Sequence, residues 1–447
     1  MTFKQKIKKI TPPWLLDQYF KTIAYGAAIL YGWPSRRLII IGVTGTKGKS
    51  STVSLIRAVL KQAGYKVGWT SSVSWSDGVT ETPNTLHMTM PGRFFLQKQM
   101  RDMVQNGCTH AIIEVTSEGI KQFRHLGIWF DVAVFTNLAP EHLEAHGGLA
   151  PYRAAKRRLF EVLKKRPEKR VGPGRSLVPR VSIINLDSEH APYFLAVTAD
   201  HTLGFSVTTR SASGVNEIVR AENLLIKPGG SSFVVRGVAF EITLPGAFNV
   251  YNALAALTVG LSQGVSLVHL QSALAEVKPP AGRMQFVDAG QPFRAVVDYA
   301  HTPDSLRAVY EALRANIPAG GRLIGVLGAT GGGRDQWKRP VLGAIAEEFC
   351  DEIVLTDEDP YDEDPQEIMH AVLKGIGRRD KVRLELDRRL AIRYACQTAK
   401  PRDTVVVTGK GSEQTMIVKG RAEPWNDAAI IFEELRALGY RAEKTLI

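Results

Sequence analysis

The chain has 447 residues, of which 44% are hydrophobic and 23% are charged, and its formal net charge is +13. This composition excludes disordered and collagen-like proteins, and the length predicts two or three domains of ordinary size. Much of the positive charge lies near the N-terminus and in the stretch 161–180, where aromatic residues do not alternate with basic ones. We therefore expect a solvated tail and a solvated loop without a nucleic-acid partner, while attraction to phosphorylated substrates or to an anionic membrane stays open.

The first apolar segment, 14–33, can be considered as a membrane span. Asp17, Gln18 and Lys21 interrupt it, whereas a span needs about 20 nearly uncharged residues. The segment therefore predicts an amphipathic helix packed on the body, with contact to a membrane surface as the alternative. No signal peptide is visible, because the segment begins late and lacks a small-residue cleavage site.

A glycine-rich turn follows the next apolar run. The run 38–41 stops at the turn 42–50, and the turn leads into an amphipathic segment, 53–63. This order predicts a strand, a phosphate-binding loop and a helix, because glycines let backbone N–H groups curl around an anion at a helix N-terminus. Lys49 would reach the outer phosphates and the Ser50 hydroxyl would ligate magnesium. The strict pattern has a glycine at position 43, where this chain has valine, so an ordinary glycine-rich turn stays an alternative.

Short β-branched runs then alternate with helical segments. This alternation predicts a mostly parallel sheet that is covered by helices on both faces. The predicted strands are 66–71, 110–115, 132–138 and 181–185. From about 200 to 245 the pattern turns to short alternating strands, which suggest an antiparallel patch, and 249–263 reads as a helix.

A second α/β set begins near residue 280. Its predicted strands are 294–299, 322–327, 352–356 and 404–408, with helices between them. The prolines at 279 and 280 interrupt regular structure just before this set, so we place a boundary there. We expect an N-terminal basic and amphipathic segment (1–37), a central P-loop-type domain (38–279) and a C-terminal Rossmann-like α/β domain (280–447).

The cysteines favour a reducing compartment, and we expect a cytoplasmic protein. They are widely separated and lack the spacing of a metal site, so they are expected to be buried thiols. The chain has three of them, Cys108, Cys350 and Cys396.

Several polar residues follow predicted strands, where open parallel sheets place their ligands. Glu114 ends an apolar strand and would be costly to bury alone, so we expect it to bind magnesium, with a structural salt bridge as the alternative. His142 and His146 could share a helical face, but no third ligand supports zinc and both could be ordinary loop histidines. The glycine-rich loop 331–335 could hold an anion.

Taken together, these residues occur in an order that resembles the Mur ligases. The resemblance runs from roughly residue 38 to the end and is closest to the branch that adds the third residue of the peptidoglycan peptide. Folylpolyglutamate synthase shares the loop and the general plan, but 298–304 and 409–413 look more like the muramyl-peptide enzymes. The motifs are GVTGTKGKS (42–50), EVTS (114–117), NLAPEHLEAHG (137–147), YRAAK (152–156), LPGAFNVYNA (244–253), GRM (282–284) and DYAHTPD (298–304).

The resemblance implies an ATP-dependent amide ligase of peptidoglycan synthesis. A muramyl-dipeptide-type carboxylate attacks the γ-phosphate of ATP to give an acyl phosphate, and the amine of an amino acid then displaces phosphate. A folate or polyamide ligase is the runner-up, and a non-catalytic nucleotide-binding protein is the alternative of another class. The joint presence of Lys49, Glu114, His142 and Lys156 favours the ligase, because a binding protein needs neither two metal sites nor a carbamate.

The resemblance also implies roles for the nucleotide-side residues. Lys49 would stabilise the transferring phosphate, and Ser50 and Glu114 would hold one magnesium ion. His142 would help hold a second, and Lys156 matches a lysine that is carbamylated to a metal-binding group. The residues implied to contact ATP are Gly45, Thr46, Lys47, Gly48, Lys49, Ser50, Ser51, Asn252 (adenine), Asp298 (ribose) and Arg283 (phosphates). His301 belongs to the same motif, with a packing role as the alternative.

For the two other substrates, Ser117, Gln122 and Arg124 match acceptor-peptide positions. The positions for the incoming amino acid are Arg334, Asp359 and Glu413. Members that use diaminopimelate carry Asp-Asn-Pro-Arg, whereas residues 358–361 read Glu-Asp-Pro-Tyr in a strongly acidic loop. We therefore expect lysine or another basic amino acid, with a merely solvated acidic loop as the alternative. Glu118 and Ser412 each replace a histidine of the family.

Full-length members carry an N-terminal domain that binds the UDP part of the substrate. The roughly 40 residues before the loop cannot form such a domain. Either another surface holds the carrier nucleotide or the substrate lacks it, and a lipid-linked precursor would agree with the basic N-terminus. We expect a monomer. The sequence determines neither the amine nor the carrier on the acceptor.

Overall fold

The computed structural model describes residues 12–86, 88–141, 146–197, 199–227, 229–333 and 335–441. These residues form two compact units. The first comprises residues up to 224 together with 232–242 and 249–277, and the second comprises 225–231, 243–248 and the chain from 278 onward. The domain limits expected from the sequence stay predictions.

The first unit contains a nine-stranded sheet, and helices alternate with its strands along the chain. Its elements up to the last strand of this sheet are α1 (Pro13–Leu30), a 3-10 turn (Pro34–Arg37), β1 (Ile39–Thr44), α2 (Lys49–Gln62), β2 (Val67–Thr70), β3 (Ser74–Ser76), β4 (Glu81–Pro83), α3 (Arg93–Gln105), β5 (His110–Glu114), α4 (Ser117–Lys121), β6 (Val132–Phe135), α5 (Leu149–Lys165), β7 (Arg170–Val171), β8 (Ser176–Leu177), β9 (Val181–Asn185), α6 (Ala191–Leu195), β10 (His201–Ser206) and β11 (Glu217–Arg220). Then follow β12 (Glu222–Lys227), β13 (Gly230–Val235), β14 (Val238–Ile242), α7 (Ala247–Ser262) and α8 (Leu267–Ala275).

Strand β1 lies in the interior of this sheet, whose order is β11-β10-β9-β6-β1-β5-β2-β3-β4. It pairs in parallel with β5 on one side and β6 on the other. The mostly parallel sheet is thus confirmed. The predicted antiparallel patch is wrong where it begins, because β10 and β11 extend the sheet in parallel pairing.

The basic stretch 161–180 is only partly the solvated loop that the sequence suggested. Arg166 and Lys169 are buried, and both form ion pairs with the buried carboxylate of Asp131, at 3.3 and 2.5 Å. Asp131 also accepts a hydrogen bond from the N–H of Ile40 in β1. Two basic residues of this stretch are therefore part of the interior, where they neutralise the carboxylate of Asp131. A count of charges in the sequence could not predict this pairing.

The second unit is a six-stranded sheet with an apolar core on each face. Its order is β15-β16-β20-β17-β18-β19, and only the β15–β16 pairing is antiparallel. The α/β fold that the sequence predicts here is confirmed. The elements are β15 (Gln285–Val287), β16 (Arg294–Asp298), α9 (Pro303–Arg314), β17 (Leu323–Leu327), α10 (Lys338–Phe349), β18 (Glu352–Leu355), α11 (Pro365–Leu373), β19 (Val382–Leu384), α12 (Arg388–Thr398), β20 (Thr404–Thr408), β21 (Thr415–Val418), β22 (Arg421–Pro424) and α13 (Asp427–Ala437).

The predicted thiols and the N-terminal helix have clear outcomes. All three cysteines are free and buried, as predicted. Most of the segment 14–33 forms α1, which ends at Leu30 and buries Ala24, Ala27 and Ala28 as an amphipathic helix should. Among the described residues, none of the helices has the length and hydropathy required to cross a bilayer.

A buried ion pair joins α12 to α13. The Arg388 guanidinium donates to both carboxylate oxygens of Asp427, at 2.9 and 2.8 Å, and both side chains are fully buried. Arg388 also donates to the carbonyl oxygens of Asp357, just after β18, and of Thr408, the last residue of β20. A single guanidinium thus links two helices to the carboxyl ends of two neighbouring parts of the sheet.

Replacing Asp427 by asparagine is expected to lower the free energy of unfolding by about 3–5 kcal/mol, because it leaves the charge of Arg388 buried without its counterion. Urea denaturation followed by circular dichroism measures the loss. The matched control is Asp380→Asn, which breaks a surface pair with Arg378 and should leave the unfolding midpoint unchanged. Equal midpoints for both variants would contradict the prediction.

Candidate functional site

The loop after β1 has the backbone of an anion-binding turn. Gly48 has φ 76° and precedes α2, which begins at Lys49. A Cβ on Gly45 would lie 1.9 Å from the Thr136 hydroxyl oxygen, and one on Gly48 would lie 2.2 Å from the Asn252 side-chain oxygen. Only glycine fits at these two positions, so the close approach of neighbouring segments explains the glycine pattern of the sequence.

Asn137 holds the tip of this loop. Its backbone carbonyl accepts from the N–H of Thr46 at 2.9 Å, and its side-chain oxygen accepts from the N–H of Lys47 at 2.8 Å. The Thr46 hydroxyl lies 3.1 Å from the Tyr152 hydroxyl, and the Lys47 ammonium pairs with Glu141 at 3.1 Å. The loop therefore takes its shape from the segment after β6, a role of Asn137 that the motif alone did not identify.

Lys49 lies over the loop from the start of α2. Its ammonium group donates to the carbonyl oxygens of Gly45 at 3.1 Å and Thr46 at 2.9 Å. Ser50 and Ser51 occupy the next two positions of the helix, and both are buried. The lysine is thus placed at the mouth of the turn, where oxygen atoms of a phosphate could replace the carbonyl oxygens.

Ser50 and Glu114, which were predicted to share a metal ion, lie together in the structure. The Ser50 hydroxyl donates to one carboxylate oxygen of Glu114 at 3.2 Å, and the N–H of Ser72 donates to the other at 2.9 Å. The hydroxyl groups of Ser50 and Ser72 are 2.7 Å apart. A carboxylate and hydroxyl oxygens are ligands that suit magnesium, so this group fits such an ion.

The sequence analysis did not identify Ser72 as a site residue. Its only signal is its place just beyond β2, at the edge of the sheet where Glu114 ends β5. Among the described residues there is no group of three or more histidine, cysteine, aspartate or glutamate side chains suited to a metal ion. The protein ligands that the described residues offer a metal at this edge are therefore one carboxylate, Glu114, and the serine oxygens.

Lys156 is a buried amine at the loop. It lies on α5, is 2% exposed, and donates to the Gly45 carbonyl oxygen at 2.6 Å. Burial, together with the nearby charge of Lys49, lowers its pKa well below the usual value for lysine, although Glu141 and Glu114 act in the opposite direction. The neutral amine, which is the nucleophilic form, is accordingly favoured at this position.

His142 and Arg334 lie outside the described residues, so their predicted roles stay predictions. His146 is described, and its ring packs on the edge of Tyr152 with centroids 5.2 Å apart. Burial lowers the pKa of His146, which favours the neutral ring. Asn252, which was predicted to face adenine, accepts from the Thr52 hydroxyl at 3.3 Å and donates to Asn249 at 3.1 Å.

Two of the predicted acceptor residues contact each other. Arg124 donates to the Gln122 side-chain oxygen at 2.8 Å, and it also donates to the carbonyl oxygen of Met90. Phe123 between them has φ 58°, a left-handed conformation that is strained for an aromatic residue. Arg93, which sequence reasoning missed, donates to the Gln122 carbonyl oxygen. Ser117 is buried at the first position of α4.

In the second unit, Asp298 organises the chain at the end of β16. Its carboxylate accepts from the N–H groups of Met284 at 2.7 Å and Ala300 at 2.8 Å. The Arg283 guanidinium packs on the Tyr299 ring at 4.2 Å. His301 lies against the same ring and contacts the Tyr299 carbonyl oxygen at 2.9 Å. Asp298 and Arg283, which were predicted to contact ribose and phosphates, thus lie in two neighbouring backbone segments that are joined by the Met284–Asp298 hydrogen bond.

Lys410 joins the two acids predicted to engage the incoming amino acid. Its fully buried ammonium lies 2.8 Å from both oxygens of Asp359 and 2.5 Å from Glu413. Burial works against its charge, but Glu413 and Asp359 outweigh burial and raise its pKa. Sequence reasoning did not single out Lys410, although it lies in the quoted run 409–413. The cluster carries two carboxylates against one cation.

The acidic loop is not merely solvated. Asp359 and Glu358 are buried. Glu358 accepts from the Thr330 hydroxyl at 2.7 Å, and Glu363 pairs with Arg339 at 2.9 Å. Burial raises the pKa of Asp357 to about 6. Part of the negative charge counted from the sequence is therefore compensated within the second unit.

Comparison with known proteins shows the family to which the chain belongs. Residues 43–260 match the model of the Mur ligase middle domain, and residues 282–411 match the Mur ligase, glutamate ligase domain. The chain is 36% identical to the UDP-N-acetylmuramyl-tripeptide synthetase of Treponema denticola, over 91% of this chain and 78% of the relative. It is 36% identical to the UDP-N-acetylmuramoyl-L-alanyl-D-glutamate–2,6-diaminopimelate ligase of Geobacillus thermodenitrificans, over 92% and 81%. A solved structure of a diaminopimelate ligase of this type superposes with a TM-score of 0.61 at 29% identity, over 90% of this chain and 79% of that one.

Proposed function

Because the chain belongs to the Mur ligase family, whose members form amide bonds with ATP and magnesium, we propose that it adds a basic amino acid to a muramyl-peptide carboxylate. The chain is a ligase of peptidoglycan synthesis. The observation that carries the proposal is the contact of the buried Lys156 amine with the phosphate-binding loop. A simple nucleotide-binding turn has no need of a second, buried lysine at its carbonyl groups.

The site residues supply positioning and charge. In this proposal the loop N–H groups and Lys49 bind the β- and γ-phosphates of ATP, where they offset the negative charge that spreads over the transferred phosphoryl group. The acceptor carboxylate attacks the γ-phosphate and ADP leaves. The amine then attacks the acyl carbon, and inorganic phosphate leaves as the amide forms. Gln122 and Arg124 hold the acceptor so that its carboxylate meets the phosphate in line.

Ser50 and Glu114 would hold a magnesium ion. When it is bound, this ion would neutralise part of the negative charge of the phosphates. We further propose a second ion, with His142 and a carbamylated Lys156 as ligands. The carbamate forms when the neutral Lys156 amine attacks carbon dioxide and releases a proton. The lowered pKa of Lys156 supports this step, because only the neutral amine attacks carbon dioxide.

The proposed function is tested by ADP release from ATP with UDP-muramyl-dipeptide and a panel of amino acids. We expect ADP and phosphate in equal amounts with one amide product, and no turnover when either substrate is omitted. Turnover with a folate and glutamate instead would assign the runner-up activity. ADP release that needs no substrate pair would contradict the ligase.

Replacing Glu114 by glutamine is expected to raise the magnesium concentration for half-maximal activity by roughly tenfold or more, because a charged ligand becomes a neutral one. A magnesium titration at saturating ATP measures it. Glu161→Gln on α5 is the matched control, since Glu161 pairs only at the surface with Arg157 and Arg158. An unchanged magnesium dependence for Glu114→Gln would remove this residue from the metal site.

A cationic amino acid is favoured by the charge of the Lys410 cluster. Asp359 and Glu413 bring two negative charges and Lys410 one positive charge, so the group as a whole attracts an ammonium and repels a carboxylate. Tyr361 stands where diaminopimelate-adding relatives have arginine. Its backbone N–H donates to the Ile417 carbonyl at 3.2 Å, which fixes this position beside β21.

Introducing that arginine is expected to change the preferred substrate. Tyr361→Arg should raise kcat/KM for diaminopimelate relative to lysine by roughly 10- to 100-fold, because a guanidinium can pair with the second carboxylate. Competition assays with both amino acids give the ratio. Tyr361→Phe serves as the control and should leave it unchanged. A parent enzyme that already prefers diaminopimelate would contradict the proposed specificity.

A further inference from the structure

Helix α1 has two unlike faces. One face is packed on the first unit and includes Ala24, Ala27 and Ala28, none of which is exposed. The other face exposes large apolar side chains to a degree that is unusual for a surface helix. The exposed fractions are 68% for Trp14, 46% for Leu15, 58% for Tyr19, 45% for Tyr25, 65% for Ile29 and 62% for Leu30.

The middle of the exposed face carries no charge. At helical spacing the six apolar residues share one side of α1 with three neutral residues, Gln18, Thr22 and Gly26. By the same spacing, Asp17 falls on the side of the packed residues Ala24 and Ala28, and Lys21 falls at the edge of the apolar face, next to Trp14 and Tyr25. A water-exposed helix face normally carries charged side chains, so this face has the composition of a surface that is covered by something apolar.

The helix is firmly seated by its other face. A Cβ on Gly127 would lie 2.8 Å from the Ala28 side chain, so helix and loop are in close contact there. The Arg93 guanidinium packs on the Phe20 ring at 4.5 Å, and the Lys21 ammonium packs on the Phe123 ring at 5.0 Å. The exposed apolar face therefore belongs to a helix that is held in place by its other side.

Positive charge precedes and follows the apolar face. The sequence before α1 contains Lys4, Lys6, Lys8 and Lys9. After α1, Arg36 and Arg37 are exposed in the 3-10 turn. Tryptophan and tyrosine rings on an uncharged face, with lysine and arginine at both ends, are the chemistry of a helix that lies in the headgroup region of a bilayer.

We propose that α1 docks on an anionic phospholipid bilayer, with Trp14, Ile29 and Leu30 entering the apolar boundary. Arg36 and Arg37, which follow the helix and are exposed, contact lipid phosphates and carboxylates. The docking face belongs to a helix that is tied through Phe20 and Arg93 to Gln122, so the acceptor-side loop comes to lie beside the membrane surface. The docking itself does not depend on the proposed function, since it requires neither ATP nor acceptor.

The test is sedimentation of the full chain with vesicles in the absence of nucleotide. Vesicles of phosphatidylcholine with phosphatidylglycerol should bind the chain, and phosphatidylcholine alone should bind it much less. Binding should weaken as salt is added. Ile29→Ser together with Leu30→Ser should weaken the partition coefficient by roughly a hundredfold, about tenfold for each side chain removed. These substitutions keep the net charge, so they test the apolar contact alone.

Val268→Ser is the matched control. Val268 is 66% exposed on α8, as exposed as Ile29, but it lies outside the docking face, so its replacement should leave vesicle binding unchanged. Circular dichroism establishes that each variant is folded. Absence of vesicle binding by the full chain, or equal binding by the double variant, would overturn the proposal. A vesicle-free dimer that the double variant converts to a monomer would instead assign the face to a second copy of the chain.

Discussion

Lys49→Ala is expected to lower kcat by roughly a thousandfold or more, with a much smaller change in the affinity for ATP. The reason is that Lys49 lies at the mouth of the phosphate-binding loop and offsets charge that increases as the γ-phosphoryl group leaves ADP. Binding of the ground state relies on loop N–H groups as well, and those remain in the variant. Single-turnover acyl-phosphate formation and nucleotide titration measure the two effects separately.

Lys61→Ala is the control for this experiment. Lys61 lies in the last turn of the same helix, where its ammonium packs on the Trp69 ring at 5.0 Å. Its loss should leave kcat unchanged. Full activity of Lys49→Ala would contradict the assignment of the loop to phosphoryl transfer, whereas a loss of ATP binding alone would reduce Lys49 to a ground-state contact.

The second large effect is expected at Lys156. Lys156→Ala should lower kcat by roughly a thousandfold, because it removes the proposed carbamate and with it the proposed ligand of a second metal ion. Acetate or another small carboxylate should restore part of the activity, since it can occupy the space left by the side chain and supply the missing oxygen atoms.

A measurement that is independent of activity identifies the carbamate directly. In bicarbonate labelled with carbon-13, the parent enzyme should show a carbamate resonance that Lys156→Ala lacks. Lys165→Ala, at the exposed end of the same helix, should retain both the resonance and the activity. If the parent shows no resonance while Lys156→Ala is inactive, the lysine acts as an amine donor to the loop and the second metal ligand has to be sought elsewhere.

The local parts of the site could be predicted from the sequence. An apolar run, a glycine turn and an amphipathic segment are neighbours in the chain, so β1, the loop and α2 follow from short-range pattern alone. Ser50 and Glu114 could be paired because parallel strands end at the same edge of a sheet. The structure brings these two side chains into contact, and their shared role as metal ligands stays a prediction.

The residues that sequence reasoning missed act across long separations. Asn137 holds a loop some ninety residues earlier, and Lys410 binds an acid 51 positions before it. Neither has a local signal, because an asparagine after a strand and a lysine among glycines have many uses. The wrong prediction of antiparallel pairing at β10 and β11 has a similar cause. The direction in which a strand pairs depends on its neighbours in the assembled sheet, and the sequence of the strand itself does not determine it.

The order of strands around β1 has a consequence for how the protein is made. The whole glycine motif is complete once the ribosome has added residue 50, but the segments that shape it come much later. Asn137, Tyr152 and Lys156 all contact the loop. A nascent chain therefore carries the nucleotide motif long before it can bind a nucleotide, and the site assembles only after about a third of the protein has been synthesised.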